Sequence, residues 1–220
     1  MLTTLSPMLA SSGPMPTSAS AWAFEPKLDG WRVIVYVHGQ AVDIVTRSGR
    51  RITDSVPELR GLATAVDGDA VFDAELIAGQ GLPDDFYRLG PRLAATRPAA
   101  VRRWCAREPL TLGIFDLLAI DGESVMSDPY EDRRLILEGM ALSGPRWLTV
   151  SSFVDGGADL LDACVQLGFE GLVAKRLDSR YECGRRSRHW VKVKTEAWRA
   201  EHGPRRHEHD SRARTTRVVS

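Results

Sequence analysis

An α+β fold is predicted by three features of this 220-residue sequence. Short runs have the alternation of β-strands, several other stretches have helical spacing, and a hydrophobic content of 43% is enough for a proper core. Trp22-Ala23-Phe24-Glu25 and Trp31 to Val37 read as strands, and Gly39-Gln40 turns the second into Ala41 to Thr46. Ser55 and Pro57 mark a helix start, with the helix running to Ala65 and ending at Asp67-Gly68. Val71 to Ile77 alternates as a half-buried strand does and puts Asp73 and Glu75 on one face. Pro83 to Arg107 reads as broken helix outside the main sheet. Leu110 to Ile120 is an apolar strand interrupted by Asp116, a buried carboxylate that needs a partner. Tyr130 to Met140 and Ala158 to Leu167 are amphipathic helices. Gly171 to Lys175 and Trp190 to Lys194 are strands again, with Lys192 and Lys194 projecting from one face.

The organisation expected is an irregular Ser/Thr/Pro-rich lead-in over residues 1–20, one domain over 21–195, and a polar, disordered tail over 196–220. His202, His207 and His209 in that tail are a weaker metal-binding alternative. Cys105, Cys164 and Cys183 are odd in number and lack metal-site spacing, so they read as buried free thiols. No apolar run approaches the ~18 residues of a membrane helix, and no charge before Glu25 supplies the basic start of a signal peptide. A cytoplasmic location with no membrane partner is expected. Formal net charge is zero, yet residues 175–220 hold 14 Arg and Lys against 6 Asp and Glu, which favours a polyanion there.

Residue choice points to the chemistry. The chain has four lysines, Lys27, Lys175, Lys192 and Lys194, while its other 25 strong cations are all arginine. Guanidinium does not give up its proton in a protein, whereas a desolvated ammonium can, and then attacks as an amine. Lys27, on a loop between two strands and two residues before Asp29-Gly30, is therefore the candidate nucleophile. With an ordinary pKa of about 10.4 it has to be pulled down by burial or nearby cations.

Five segments occur in a fixed order: KLDGWR at 27–32, FDAELIA at 72–78, GIFDLLAIDG at 113–122, EGLVAK at 170–175 and WVKVK at 190–194. In this the chain, over roughly residues 5 to 195, resembles the covalent nucleotidyltransferases, most closely the adenylation domain of bacterial ATP-dependent DNA ligases of end-joining repair. The resemblance implies an ATP-grasp-like nucleotidyltransferase fold, two packed antiparallel sheets flanked by helices, with ATP between them. It implies that Lys27 attacks the α-phosphate of ATP to form a lysyl-adenylate and passes AMP to the 5′-phosphate of nicked double-stranded DNA. Lys192 and Lys194 would hold the α-phosphate and lower the pKa of Lys27. Arg32 would contact ribose or phosphates, Glu75 the ribose or a metal, Phe115 would stack on adenine, and Glu25 would read the adenine edge. Glu170 would help bind Mg²⁺ or Mn²⁺, Lys175 would be a further phosphate contact, and Arg47 would grip the 5′-phosphate of the nick.

Two departures from the family pattern stand out. Ala74 replaces the usual Gly, and the residues after Thr195 are too few and too polar for the OB-fold barrel that follows in such ligases. The OB-fold domain is thus expected to be absent, as in a truncated or out-of-frame reading, and a separate OB-fold or end-binding repair protein is a candidate partner. Two other functions share these motifs: an RNA ligase or GTP-using capping enzyme, and a non-catalytic remnant that binds nucleotide or DNA.

Overall fold

The computed structural model describes residues 5–202. In chain order its strands are β1 (Leu9–Ser12), β2 (Trp22–Pro26), β3 (Trp31–His38), β4 (Ala41–Thr46), β5 (Ala70–Ile77), β6 (Thr111–Ile120), β7 (Glu123–Ser124), β8 (Ser143–Gly144), β9 (Trp147–Thr149), β10 (Phe153–Val154), β11 (Gly171–Arg176) and β12 (Arg186–Lys194). Its helices are α1 (Phe86–Ala94), α2 (Pro98–Arg107), α3 (Tyr130–Gly139), α4 (Gly157–Leu167) and α5 (Glu196–His202).

Among the described residues the strands form two sheets. One has the order β1-β12-β11-β2-β10; the other runs β4-β3-β5-β6-β9-β8, with β7 on β6. Pairing is antiparallel except at two places, β1 on β12 and β6 on β9, which are parallel. The α+β architecture of two packed sheets and helices is as expected, with this correction to its strand directions.

The two-residue period of β3 and β5 builds the layers. Val33, Val35 and Val37 of β3, with Phe72, Ala74 and Leu76 of β5, enter an outer core shared with Leu59, Leu62, Leu89 and Leu93. The alternate positions Ile34, Tyr36 and Val71 face the other sheet and meet Met8, Phe115, Tyr181 and Trp190. On that sheet's far side Phe24, Leu172, Ala174 and Val193 pack against Leu160, Leu161 and Cys164 of α4. The strand at 71–77 is thus buried on both faces and not half-buried, because a second sheet covers its polar side. Asp116 and Arg133 are both fully buried and form a fork, Nε to Oδ1 at 2.9 Å and Nη2 to Oδ2 at 2.7 Å, which supplies the partner the sequence demands.

Four further expectations need correction. The lead-in is not irregular throughout: Met8 is fully buried and β1 follows it, since Leu9 and Ala10 lie against Arg186 and Ser187 at the start of β12. The helix from Pro57 is a 3-10 helix, Pro57–Thr64. The polar tail starts as a helix, α5, whose Trp198 N–H donates to Thr195 Oγ1 at 3.2 Å as in an N-cap; residues 203–220, with His207 and His209, lie outside the described residues. Of the three free thiols Cys164 is buried, Cys105 is intermediate and Cys183 is exposed. No helix among the described residues is long and apolar enough to cross a membrane.

Candidate active site

A cavity of about 720 Å³ opens between the sheets, in the size range of small-molecule sites. Lys27, Glu25, Arg32, Arg47, Glu75, Phe115, Lys175 and Lys192 all line it. Glu170 and Lys194 stand behind this wall and join it through Lys27.

Lys27 leaves β2 with its N–H bonded to Gly171 O at 2.9 Å, which ties the Lys27 loop to the start of β11. The loop can come this close because of two glycines. A Cβ on Gly30 would meet Leu76 O at 2.3 Å, and one on Gly171 would meet Val193 O at 2.0 Å. Lys27 Nζ contacts Glu170 Oε1 at 2.5 Å and Asp29 Oδ1 at 3.0 Å, and Glu170 Oε2 is 3.7 Å from Lys194 Nζ. Burial works to lower the pKa of Lys27, but the adjacent Asp29 and Glu170 outweigh it and hold the value above the ordinary one. The expected lowering by Lys192 and Lys194 is therefore corrected for this state: two carboxylates lie closer to the ammonium than any cation. Lys192 is itself pulled down, by burial and by the charges of Lys27 and Arg186.

The opposite end of the cavity is sealed. Glu25 is 3% exposed; its Oε1 accepts from Tyr130 OH at 2.5 Å and from Lys175 Nζ at 2.9 Å, and its Oε2 is 2.8 Å from Lys175. Lys175 is 1% exposed and also donates to Phe115 O at 3.0 Å. Burial lowers its pKa against the pull of Glu25. In this structure the Lys175 ammonium is engaged by Glu25 and the β6 backbone at hydrogen-bond distance. Phe115 presents its ring to the cavity, with Lys175 Nζ and Arg32 Cζ each 4.4 Å from its centroid.

Arg32 is forked on Asp73, with Nε on Oδ1 and Nη2 on Oδ2 at 2.6 Å, and Tyr181 OH donates to Asp73 Oδ2 at 2.5 Å. Glu75, next along that face, has its carboxyl pushed up to about 7, chiefly by burial, although Arg32 and Lys27 pull the other way. A carboxyl raised in this way gains from a bound cation. Glu75 is the carboxylate in the cavity lining with the chemistry to accompany phosphate oxygens around Mg²⁺, and no cluster of three or more His, Cys, Asp or Glu that could hold a metal ion occurs among the described residues. Arg47 lies on the exposed rim, its N–H bonded to Arg32 O at 3.0 Å, beside the rim residues Arg50 and Arg186.

Some lining residues were not singled out from sequence. Val173 was legible, being two residues before Lys175 on the same strand face. Trp190, whose buried Nε1 has no hydrogen-bond partner, belongs to a motif strand but carries no residue-type signal of a role. Tyr130, which supports Glu25 from outside the lining, gives no local signal, because it reaches Glu25 across 105 residues of chain.

Comparison with known proteins agrees with this geometry. Residues 7–194 match the family model described as ATP dependent DNA ligase domain. The chain is 40% identical over 195 residues to the multifunctional non-homologous end joining protein LigD of Mycobacterium bovis, covering 86% of this chain and 24% of that protein. It is 38% identical over 200 residues to DNA ligase 1 of Korarchaeum cryptofilum, covering 86% of this chain and 36% of the other. Among solved structures, the ligase domain of Mycobacterium tuberculosis LigD superposes with a TM-score of 0.70 at 33% identity, over 86% of this chain and 59% of that one. A mycobacterial DNA ligase D complexed with ATP and MES gives 0.68 at 32% identity, over 86% and 60%. The chain thus spans about a quarter to a third of the full-length relatives named here. Five ordered motifs that line one cavity and a family match over residues 7–194 converge, and this chain belongs to the ATP-dependent DNA ligase domain family.

Proposed function

We propose that this domain takes AMP from ATP onto Lys27 and passes it to the 5′-phosphate of nicked DNA, for phosphodiester bond formation. The observation that carries the reading is the division of one cavity into two ends. Lys27, held from behind the wall by Glu170, lies at one end, Phe115 and the buried Glu25–Lys175 pair lie toward the other, and Val173 with its register partner Lys192 lines the wall between.

Lys27 has to lose a proton before it attacks, and Glu170, 2.5 Å from Nζ, is placed to receive it. The N–P bond then forms at the α-phosphorus while the bond to the bridging oxygen breaks and pyrophosphate leaves. Lys192 and Lys194 counter the charge that builds on the α-phosphate oxygens. Mg²⁺ or Mn²⁺ held by Glu75 and Glu170 would add positive charge at the same phosphates. Phe115 and Val173 offer faces to adenine, Glu25 its edge contact, and Arg32 and Glu75 the ribose side. In the second step an oxygen of the nick's 5′-phosphate, gripped by Arg47, attacks the AMP phosphorus and the Lys27 N–P bond breaks. The 3′-hydroxyl then attacks the activated 5′-phosphorus and AMP leaves. A cytoplasmic setting and a separate OB-fold or end-binding repair protein as partner complete the proposal.

Incubation with α-³²P-ATP and Mg²⁺, followed by denaturation, tests it. Label on the wild-type chain that is absent from Lys27→Ala is the expected result. Label from GTP in preference to ATP would favour a capping-type enzyme, and nucleotide binding with neither label nor sealing of pre-adenylated nicked DNA would leave a binding remnant.

A further inference from the structure

Lys194 does not line the cavity; two groups hold its ammonium behind the wall. Nζ lies 3.2 Å from the centroid of the Trp198 ring on α5 and 3.7 Å from Glu170 Oε2, the carboxylate whose other oxygen holds Lys27. Trp198 is past residue 194, where the family match ends, so the shared motifs do not supply it. Its helix is fastened to the same two residues. Thr195, 3% exposed, donates its N–H to Glu170 O at 2.9 Å and accepts at its own carbonyl from Arg199 N at 3.1 Å. Arg199 Nη2 in turn donates to Lys194 O at 2.7 Å.

We infer that Trp198 is a positioning residue, which keeps the Lys194 ammonium beside Glu170, one carboxylate away from the reacting amine. A lysine tip has large rotamer freedom, and a 3.7 Å contact with Glu170 holds it weakly. An indole face is the strongest aromatic partner for such a cation. It is also a partner that can be given up: a phosphate oxygen makes a charge-assisted hydrogen bond to the ammonium, which the ring cannot match. Trp198 thus stores Lys194 within reach of the α-phosphate and releases it when nucleotide arrives.

The kinetic part of this inference rests on the proposed adenylation of Lys27; the contact itself does not. With only four lysines, the chain labelled with ε-¹³C-lysine gives four ε-methylene signals, and Lys194→Arg identifies the relevant one. Its proton shift should lie upfield of the ordinary lysine position because of the ring current, as should that of Lys175, which lies 4.4 Å from the Phe115 and Trp190 centroids and is unaffected by substitution of Trp198. The Lys194 signal should move to the ordinary lysine position in Trp198→Ala, remain displaced in Trp198→Phe, and lose its displacement when wild-type chain is saturated with ATP. An undisplaced signal in the nucleotide-free wild type, or a signal still displaced at ATP saturation, overturns the inference whatever happens at Lys27. Because the ring contact is given up when nucleotide binds, lysyl-adenylate formation at sub-saturating ATP should rise about five-fold in Trp198→Ala, the rate equivalent of about 1 kcal/mol, and return toward the wild-type rate in Trp198→Phe. An unchanged rate in a Trp198→Ala chain that has lost the ring-current shift also overturns it. A wild-type chain that binds ATP without forming a phosphoramidate refutes the adenylation reading alone, and the ATP-induced movement of the Lys194 signal still decides the positioning role.

Discussion

Lys27 and Lys175 sit at opposite ends of one cavity, and burial drives both ammonium groups toward neutrality, yet they end on opposite sides of the ordinary lysine pKa. Lys27 faces two carboxylates, Asp29 and Glu170, and is raised. Lys175 shares one carboxylate, Glu25, with Tyr130, while the nearby charge of Arg134 adds to the lowering. Exposure differs in the same sense: the Lys27 side chain is 16% exposed and that of Lys175 2%. The Lys27 end is thus built from partly exposed ion pairs, and the Lys175 end from a buried network. Burial lowers both; at Lys27 the adjacent Asp29 and Glu170 outweigh it, and at Lys175 the pull of Glu25 and Asp116 does not.

The sharpest way to break this contrast is to remove each ammonium. Lys175→Met leaves Glu25 buried without its main partner and should lower stability by about 3–5 kcal/mol, whereas Lys27→Gln should cost about 1–2 kcal/mol. Guanidinium denaturation midpoints with matched m-values would measure both, and equal losses would end the distinction. Next in size, Tyr130→Phe removes a hydrogen bond to a charged acceptor and should cost about 1.5–3 kcal/mol. That cost should change when Lys175 is already Met, since the two share one carboxylate, and additive losses would show that the network does not act as a unit.

A pH series separates Glu75 from both lysines. Its folded pKa of about 7 stands above its ordinary value of 4.5, so between those values the folded chain binds more protons than the unfolded one. Stability should therefore fall as pH rises from 4.5 to 7, by about 1–3 kcal/mol, and Glu75→Gln should flatten that slope. The lysines act in the alkaline range with opposite signs. The stabilisation from Lys27 is present below pH 10.5 and lost above it as pH passes the raised folded value, while the penalty for charged Lys175 is relieved as pH rises through its lowered value toward 10.5. The smallest effect belongs to the rim. Arg47→Ala should leave stability within about 0.5 kcal/mol of wild type and reduce the salt dependence of nicked-DNA binding by about 0.9 in slope, one phosphate contact. An unchanged slope would remove Arg47 from the DNA-binding role.

Much of the site was legible because it is written in local patterns. Asp73 and Glu75 share a face through the two-residue strand period, Asp116 announced a partner by interrupting an apolar run, and the scarcity of lysine singled out Lys27. The partners were less legible. Arg133 for Asp116, Tyr130 for Glu25 and Trp198 for Lys194 are set by which elements pack together, and no local spacing encodes that. The parallel strand β1 was missed for the same reason, since four residues acquire strand geometry only when the far end of the chain lies beside them.

The sequence by itself determined the strands and helices that carry the motifs, the order of those motifs and the scarcity of lysine that singles out Lys27, because periodicity and residue type act over a few positions. Only the tertiary structure decided the carboxylates beside Lys27, the contact of Lys175 with Glu25 and that of Trp198 with Lys194. Charge energies depend on distances of 3–4 Å between groups that lie far apart along the chain, and those distances exist only after the sheets have packed.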